Sequence, residues 1–194
     1  MKFRKTISIS SASPRRLELL AQIGLQPGSV IAAELDEAPL RGETPPQLAR
    51  RLALNKMTQV RGQVREQYVL GADTVVAVGR RILPKPRDGE EARRCLDLLS
   101  GRRHHVYTAV AASAPDGTER VRLVDSVVAF KRLTPGEIDW YLTSDEWRGK
   151  AGGYAIQGRA AAFVRFLSGS YSNVVGLPLF ETVTALRGLG YPVS

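Results

Sequence analysis

The sequence predicts an α/β fold built on an extended, mixed and twisted β-sheet with flanking helices. Three observations carry this. Strand-like and helix-like patterns alternate from one end of the 194-residue chain to the other. Some strand signals are separated by tight turns and others by helical stretches, so both hairpins and crossovers are expected. No repeat, low-complexity segment or linker divides residues 1–194, and the length suits a single domain, or one domain with two lobes.

The elements follow in order. A short strand is expected near residues 5–9. Ser13-Pro14 then reads as an N-cap followed by proline at the first helical position. Leu17, Leu20 and Ile23 keep helical spacing until Gly24 stops it. "SVIAAELDE" reads as a second strand and "ETPPQLARRLALNK" as a second helix, with Thr44, Pro45 and Gln47 forming a capping-box pattern. The apolar run "VLGADTVVAV" is a strand that turns at Gly79-Arg80 into a short partner around Ile82-Leu83. Asp88 to Glu91 opens a helix whose buried face is Ala92, Cys95, Leu96 and Leu99, ended by Gly101. "HVYTAVAAS" and "RVRLVDSVVAFKRL" flank Asp116-Gly117, a hairpin signal. Thr134-Pro135-Gly136-Glu137 opens a helix through Leu142. The glycine-rich "GKAGGYAIQGRA", a strand "AFVRFL", a Gly169-Ser170 turn and a helix from Pro178 to about Leu189 complete the chain.

Composition narrows the class. Hydrophobic residues make up 43% and charged residues 24%, as in an ordinary globular protein. No apolar stretch approaches the ~20 residues of a spanning helix. The first residues are basic but too rich in serine for a signal peptide, and Cys95 is the only cysteine, so a cytoplasmic protein is expected. The net charge of +9 invites a nucleic-acid reading. Its arginines, however, are scattered in pairs, with no basic tail and no aromatic platform, which favours a solvated basic surface over a nucleic-acid footprint; the charge also suits a small polyphosphate ligand, which needs only a few of those residues.

Four stretches carry candidate chemistry. In "SSASPRRLELL", Arg15 and Arg16 fall in the first turn of a helix, where the macrodipole disfavours cations by about a few tenths of a kcal/mol each. The same end offers free N–H groups, so with Ser11 and Ser13 the two guanidiniums can cradle a phosphate chain; a solvated helix start is the alternative. "ELDEAPLRGETP" gathers Glu34, Asp36 and Glu37, which would repel a phosphate unless Mg²⁺ or Mn²⁺ bridges them; a solvated acidic turn is the alternative. Lys56 lies at a helical interval from Leu48 and Leu52, either snorkelling or aimed at an anion.

Asp73 sits inside an apolar strand, so its carboxylate needs a cation, a metal or several donors. Thr74 is a candidate donor and Lys85, stiffened between Pro84 and Pro86, a candidate cation. The arrangement suits a water-activating base or a structural ion pair. In "AGGYAIQGRA", glycines allow close approach to a flat ligand, and Gln157 can donate and accept at the edge of a pyrimidine base; an ordinary glycine-rich loop is the alternative. Adjacent strand residues His104 and His105 point to opposite faces and cannot share a metal, Cys95 reads as core, and Tyr171 and Asn173 suit either a ligand or a turn.

Together "SSASPRRLELL", "LDE…ETPPQLARRLALNK", "LGADTVV…KPRD", "LSGRRHHVYTAV", "AGGYAIQG" and "SGSYSNVVGLPL" resemble, in order and nearly end to end, the Maf (septum formation inhibitor-like) family of nucleoside triphosphate pyrophosphatases. The resemblance implies a Maf/ITPase-like fold of two α/β lobes around a cleft, often as a homodimer. It implies cleavage of a nucleotide between its α and β phosphates with a divalent cation, Mg²⁺ or Mn²⁺. Asp73 then matches the catalytic base and, with Glu37, the metal ligands. Ser11, Arg15, Arg16, Lys56, Lys85 and Gln157 match substrate residues. "GADTVV" and "GGYAIQG" look like the branch acting on dTTP and UTP, with Arg15, Thr74 and Gln157 at discriminating positions; the 7-methyl-GTP branch differs there. Ser10, Met57 and Pro84 depart from the family's usual alanine, alanine and glycine without removing a reactive group. A broader nucleotide hydrolase and a basic nucleic-acid-binding regulator are the rival functions.

Overall fold

The computed structural model describes residues 6–11 and 13–193. Its centre is a seven-stranded mixed sheet. Strand β1 (Ile7–Ser10) pairs in parallel with β2 (Ser29–Ile31) on one side and β3 (Tyr68–Val78) on the other. The long hairpin of β5 (Arg103–Ser113) and β6 (Glu119–Phe130) continues the sheet antiparallel from β3, and β7 (Val164–Ser168) closes its far edge. Strand β4 (Arg81–Leu83) folds back on the end of β3. The turn between β5 and β6 falls where Asp116-Gly117 placed it, and Gly117 takes φ 87°, a left-handed value glycine adopts without strain.

Helix α2 (Pro45–Arg61) covers one face of the sheet by itself, with buried Leu48, Ala49, Leu52, Ala53, Met57 and Val60 against Val69, Val75, Ala109 and Ala111. Their i, i+3, i+4 spacing makes one apolar stripe, and Lys56 lies within it. At its start the Thr44 N–H donates to Gln47 Oε1 at 2.9 Å. The opposite face holds the larger core, to which α1 (Pro14–Gln22), α3 (Gly89–Leu99), α4 (Pro135–Leu142) and α6 (Leu179–Gly188) contribute Leu20, Leu96, Tyr141 and Leu186 among others. In α3 the Asp88 carboxylate accepts from the Glu91 N–H, and the buried residues are the four that periodicity selected.

Several expectations need correction. Lys5 lies outside the described residues, and the first strand runs Ile7–Ser10. Within "SVIAAELDE" only Ser29–Ile31 is strand, because β1 ends at Ser10 and offers no ladder beyond it. Ser13 holds the N-cap position of α1 with extended backbone but makes no side-chain cap; its own N–H donates to Ser11 Oγ at 3.1 Å. In "AFVRFL" a 3₁₀ segment (Arg159–Phe163) precedes β7. The turn at Gly169-Ser170 leads into a short helix, α5 (Tyr171–Val175), capped by Ser170 Oγ accepting from the Asn173 N–H at 3.2 Å. Among the described residues no helix is long and apolar enough to cross a membrane.

Candidate active site

The site grows from a gap in the sheet. One edge of β3 is paired with β5 from Val69 to Ala77. The other edge pairs with β1 at Tyr68–Gly71 and with β4 at Val76–Val78, so Ala72 to Val75 have no strand beside them there. Strand β1 ends at this gap, and α1 starts at the carboxyl end of that parallel strand, where open α/β sheets bind ligands; of the N–H groups there, that of Ser13 goes to Ser11 Oγ and that of Arg16 to Ser13 O, and Pro14 has none.

The pleat sends Asp73 and Thr74 to opposite faces of the sheet. Asp73 faces α2. At Gly71 the helix backbone approaches so closely that a Cβ there would lie 2.6 Å from Ala53 O and 2.7 Å from Met57 N. That approach lays Lys56 over the strand, and its Nζ donates to Asp73 Oδ1 and to Glu37 Oε1, both at 2.5 Å. Lys85 Nζ donates to the second oxygen of Glu37 at 2.5 Å. Asp73, Lys56, Glu37 and Lys85 thus alternate in sign along one chain of contacts. Asp73 is 3% exposed and Lys56 8%, so each compensates a charge the other would otherwise bury alone. Burial pushes the Glu37 carboxyl up, but the bonds and charges of Lys56 and Lys85 outweigh it and bring it down to about 2.

Thr74 faces the larger core. Its hydroxyl meets Arg16 Nη2 at 3.2 Å and Thr108 Oγ1 at 3.0 Å, not the Asp73 carboxylate. Arg16 also donates from Nε to Gly176 O at 2.8 Å and from Nη1 to Ser11 Oγ at 3.4 Å. None of these partners is an acid, and burial lowers the Arg16 pKa, with Asp73 and Glu37 acting in the opposite direction. Arg15 is barer still. Its Nε is buried with no hydrogen-bond partner among the described residues, and burial, reinforced by Arg16, lowers the guanidinium to about 10. Two adjoining guanidiniums with unspent donors are suited to an anion.

The nine residues matched by the family resemblance line two adjoining cavities that share Arg15, Arg16 and Lys85. One, of about 370 Å³, is polar and holds Ser11, Glu37 and Lys56. The other, of about 90 Å³, holds Asp73, Thr74 and Gln157, with Tyr154, Ile156 and Val175 as apolar walls. Lys85 pairs with Glu37 and not with Asp73. The three-carboxylate cluster does not form. Glu34 and Asp36 are exposed, and Asp36 Oδ1 closes a turn by accepting from the Ala38 N–H at 2.9 Å. Asn173 is fully buried and structural, and Tyr171 is exposed. Sequence reasoning missed Arg148 and Lys150, which join the polar cavity; the basic residues of "RGKAGG" were their signal. It also missed the Gly176 carbonyl, 160 residues from the arginine it orients.

Glu37 and Asp73 fit a hard divalent cation. Glu37 Oε1 and Asp73 Oδ1 each lie 2.5 Å from Lys56 Nζ, so the two carboxylates are near enough to share one cation. Among the described residues no group of three or more His, Cys, Asp or Glu side chains is placed to hold a metal. Two carboxylates plus phosphate oxygens is the donor set that Mg²⁺ or Mn²⁺ takes in nucleotide sites.

The Maf-like protein family model matches residues 6–189, and the chain belongs to that family. It is similar to the dTTP/UTP pyrophosphatase of Granulibacter bethesdensis, at 57% identity over 94% of this chain and 92% of the relative. A protein of the same name from Rhodospirillum rubrum is 58% identical over 94% of this chain and 87% of its own length. The Caulobacter vibrioides dTTP/UTP pyrophosphatase is 56% identical over 94% and 95%. Among solved structures, the Staphylococcus aureus Ham1 protein aligns with 65% of this chain and 72% of its own at 18% identity, with a TM-score of 0.45.

Proposed function

We propose that this chain hydrolyses dTTP and UTP between the α and β phosphates, releasing the monophosphate and pyrophosphate and so clearing these nucleotides from the pool. The observation that carries the reading is the Arg15 guanidinium, its Nε unpartnered among the described residues, beside Arg16 and lining the same smaller cavity as the buried Asp73. The names of relatives sharing more than half of the sequence support it.

In this reading Arg15, Arg16, Ser11 and the start of α1 bind the phosphate chain, with Lys56 and Lys85 on its other side. Asp73 orients a water and takes its proton as the oxygen bonds to phosphorus and the α–β P–O bond breaks; the electron pair leaves with pyrophosphate. Glu37 and Asp73 would hold a divalent cation, which supplies Lewis acidity and charge neutralisation at the phosphates. Gln157 and Thr74 meet the base in the smaller cavity.

The test is pyrophosphate release from dTTP, UTP, CTP and 7-methyl-GTP, with Mg²⁺ or Mn²⁺ and with a chelator. Metal-dependent release fastest from dTTP and UTP is expected. Absence of release from both, or a preference for 7-methyl-GTP, overturns the proposal.

A further inference from the structure

The hydroxyl beside the smaller cavity has a defined polarity. Each threonine has one proton to give. The buried carbonyl of Asn173 accepts from Thr108 Oγ1 at 3.0 Å, which commits the Thr108 proton. Thr108 is fully buried, and its oxygen lies 3.0 Å from Thr74 Oγ1, so along that contact Thr74 must donate. Among the described residues the one other acceptor near the Thr74 hydroxyl is Gly176 O, at 3.5 Å and so well beyond the ordinary O–H···O range that the 3.0 Å contact to Thr108 meets. Arg16 Nη2 meanwhile donates to Thr74 at 3.2 Å. The chain therefore runs in one direction, from Arg16 to Thr74 to Thr108 to the Asn173 carbonyl. Thr74 keeps only a lone pair for the cavity that it lines.

Gln157 is the other polar reader in that cavity, and it is exposed with no hydrogen bond holding its amide among the described residues. A free amide turns to suit either an acceptor or a donor, so it distinguishes poorly between them. Uracil and thymine present a ring N–H where cytosine presents a bare nitrogen. Only a group of fixed polarity tells these apart.

We infer that Thr108, which touches no substrate, is a positioning residue that locks Thr74 as a hydrogen-bond acceptor and thereby selects imide-bearing pyrimidines over cytosine. This rests on the pyrophosphatase reading and deepens it. In Thr108→Val, an isosteric change, the Thr74 proton loses its acceptor and can turn toward a cytosine ring nitrogen. The expected result is a fall of about tenfold in the UTP-to-CTP ratio of kcat/KM, arising chiefly from improved use of CTP. Thr108→Ser keeps the hydroxyl and retains the parental ratio. Adding Thr108→Val to a Thr74→Val background leaves the ratio of that background unchanged, because the polarity has nothing left to act on. Thr108→Ala serves the same comparison if the valine variant does not fold. A wild-type enzyme inert toward UTP overturns the proposed function and this inference together. An active wild type whose Thr108 variants slow UTP and CTP equally overturns the inference alone, since that is what a merely structural role produces.

Discussion

Replacing Lys56 with methionine keeps the stem that packs in the α2 stripe and removes the charge. Asp73 is 3% exposed, and Lys56, at 2.5 Å, is the one side chain bonded to its carboxylate among the described residues. Breaking one half of such a buried pair destabilises by about 3–5 kcal/mol, because the orphaned charge stays in the interior. The second contact, to Glu37, adds about 1 kcal/mol at most, since that side chain is more than a third exposed and water takes the place of the ammonium. For a chain of this size each kcal/mol moves the melting temperature by about 2–4 °C, so Lys56→Met should melt about 6–24 °C below wild type. Urea unfolding followed by far-UV circular dichroism at neutral pH measures the free energy directly. Adding Asp73→Asn to the same chain removes the orphaned charge and should recover about 2 kcal/mol or more. A Lys56→Met protein within about 1 kcal/mol of wild type, or a double variant no more stable than the single, would refute the buried-pair account.

Three further outcomes are expected. Asp73→Asn should lower pyrophosphate release by about a thousandfold or more while calorimetry still detects nucleotide binding; a rate within about tenfold of wild type rejects Asp73 as the base. Gly71→Ala places a methyl 2.6 Å from Ala53 O, so the variant should lose about 1–3 kcal/mol and some turnover as α2 is pushed from Asp73, and a neutral result would contradict the close approach. Burial, with a smaller contribution from His105, lowers His104 from 6.5 to about 4. The unfolded chain therefore binds that proton first. Its contribution to stability is complete above about pH 6.5 and is lost as pH falls toward 4, about 3 kcal/mol in all. Unfolding free energies of wild type and His104→Gln across that window should differ in slope by about 1.4 kcal/mol per pH unit, and parallel curves would exclude the assignment.

Local patterns were readable where one residue answers to its neighbours in sequence. The α2 stripe, the Asp88 cap, the four buried residues of α3 and the Asp116-Gly117 hairpin all follow from spacing and turn chemistry. Pairings across the fold were not. Lys85 was the expected partner of Asp73 because it follows soon after in sequence, yet Lys56 holds that place, since Gly71 lets a helix backbone settle against the strand. The second strand was drawn too long because propensity continues past Ile31, whereas its partner β1 stops. Helix α5 spans five residues, too few for any period to show. That these residues gather around shared cavities was legible from residue type and family resemblance; who pairs with whom was decided by the sheet order.

The alternation of β3 has a consequence for how such a protein can change. On the proposed roles, the residue that cuts and the residue that chooses are consecutive in the chain but separated by the thickness of a peptide backbone. Position 74 and Thr108 beside it can be exchanged from the large-core side, tuning which base is admitted. The charges gathered under α2 need not notice. Substrate preference is therefore free to drift while the hydrolytic half stands still.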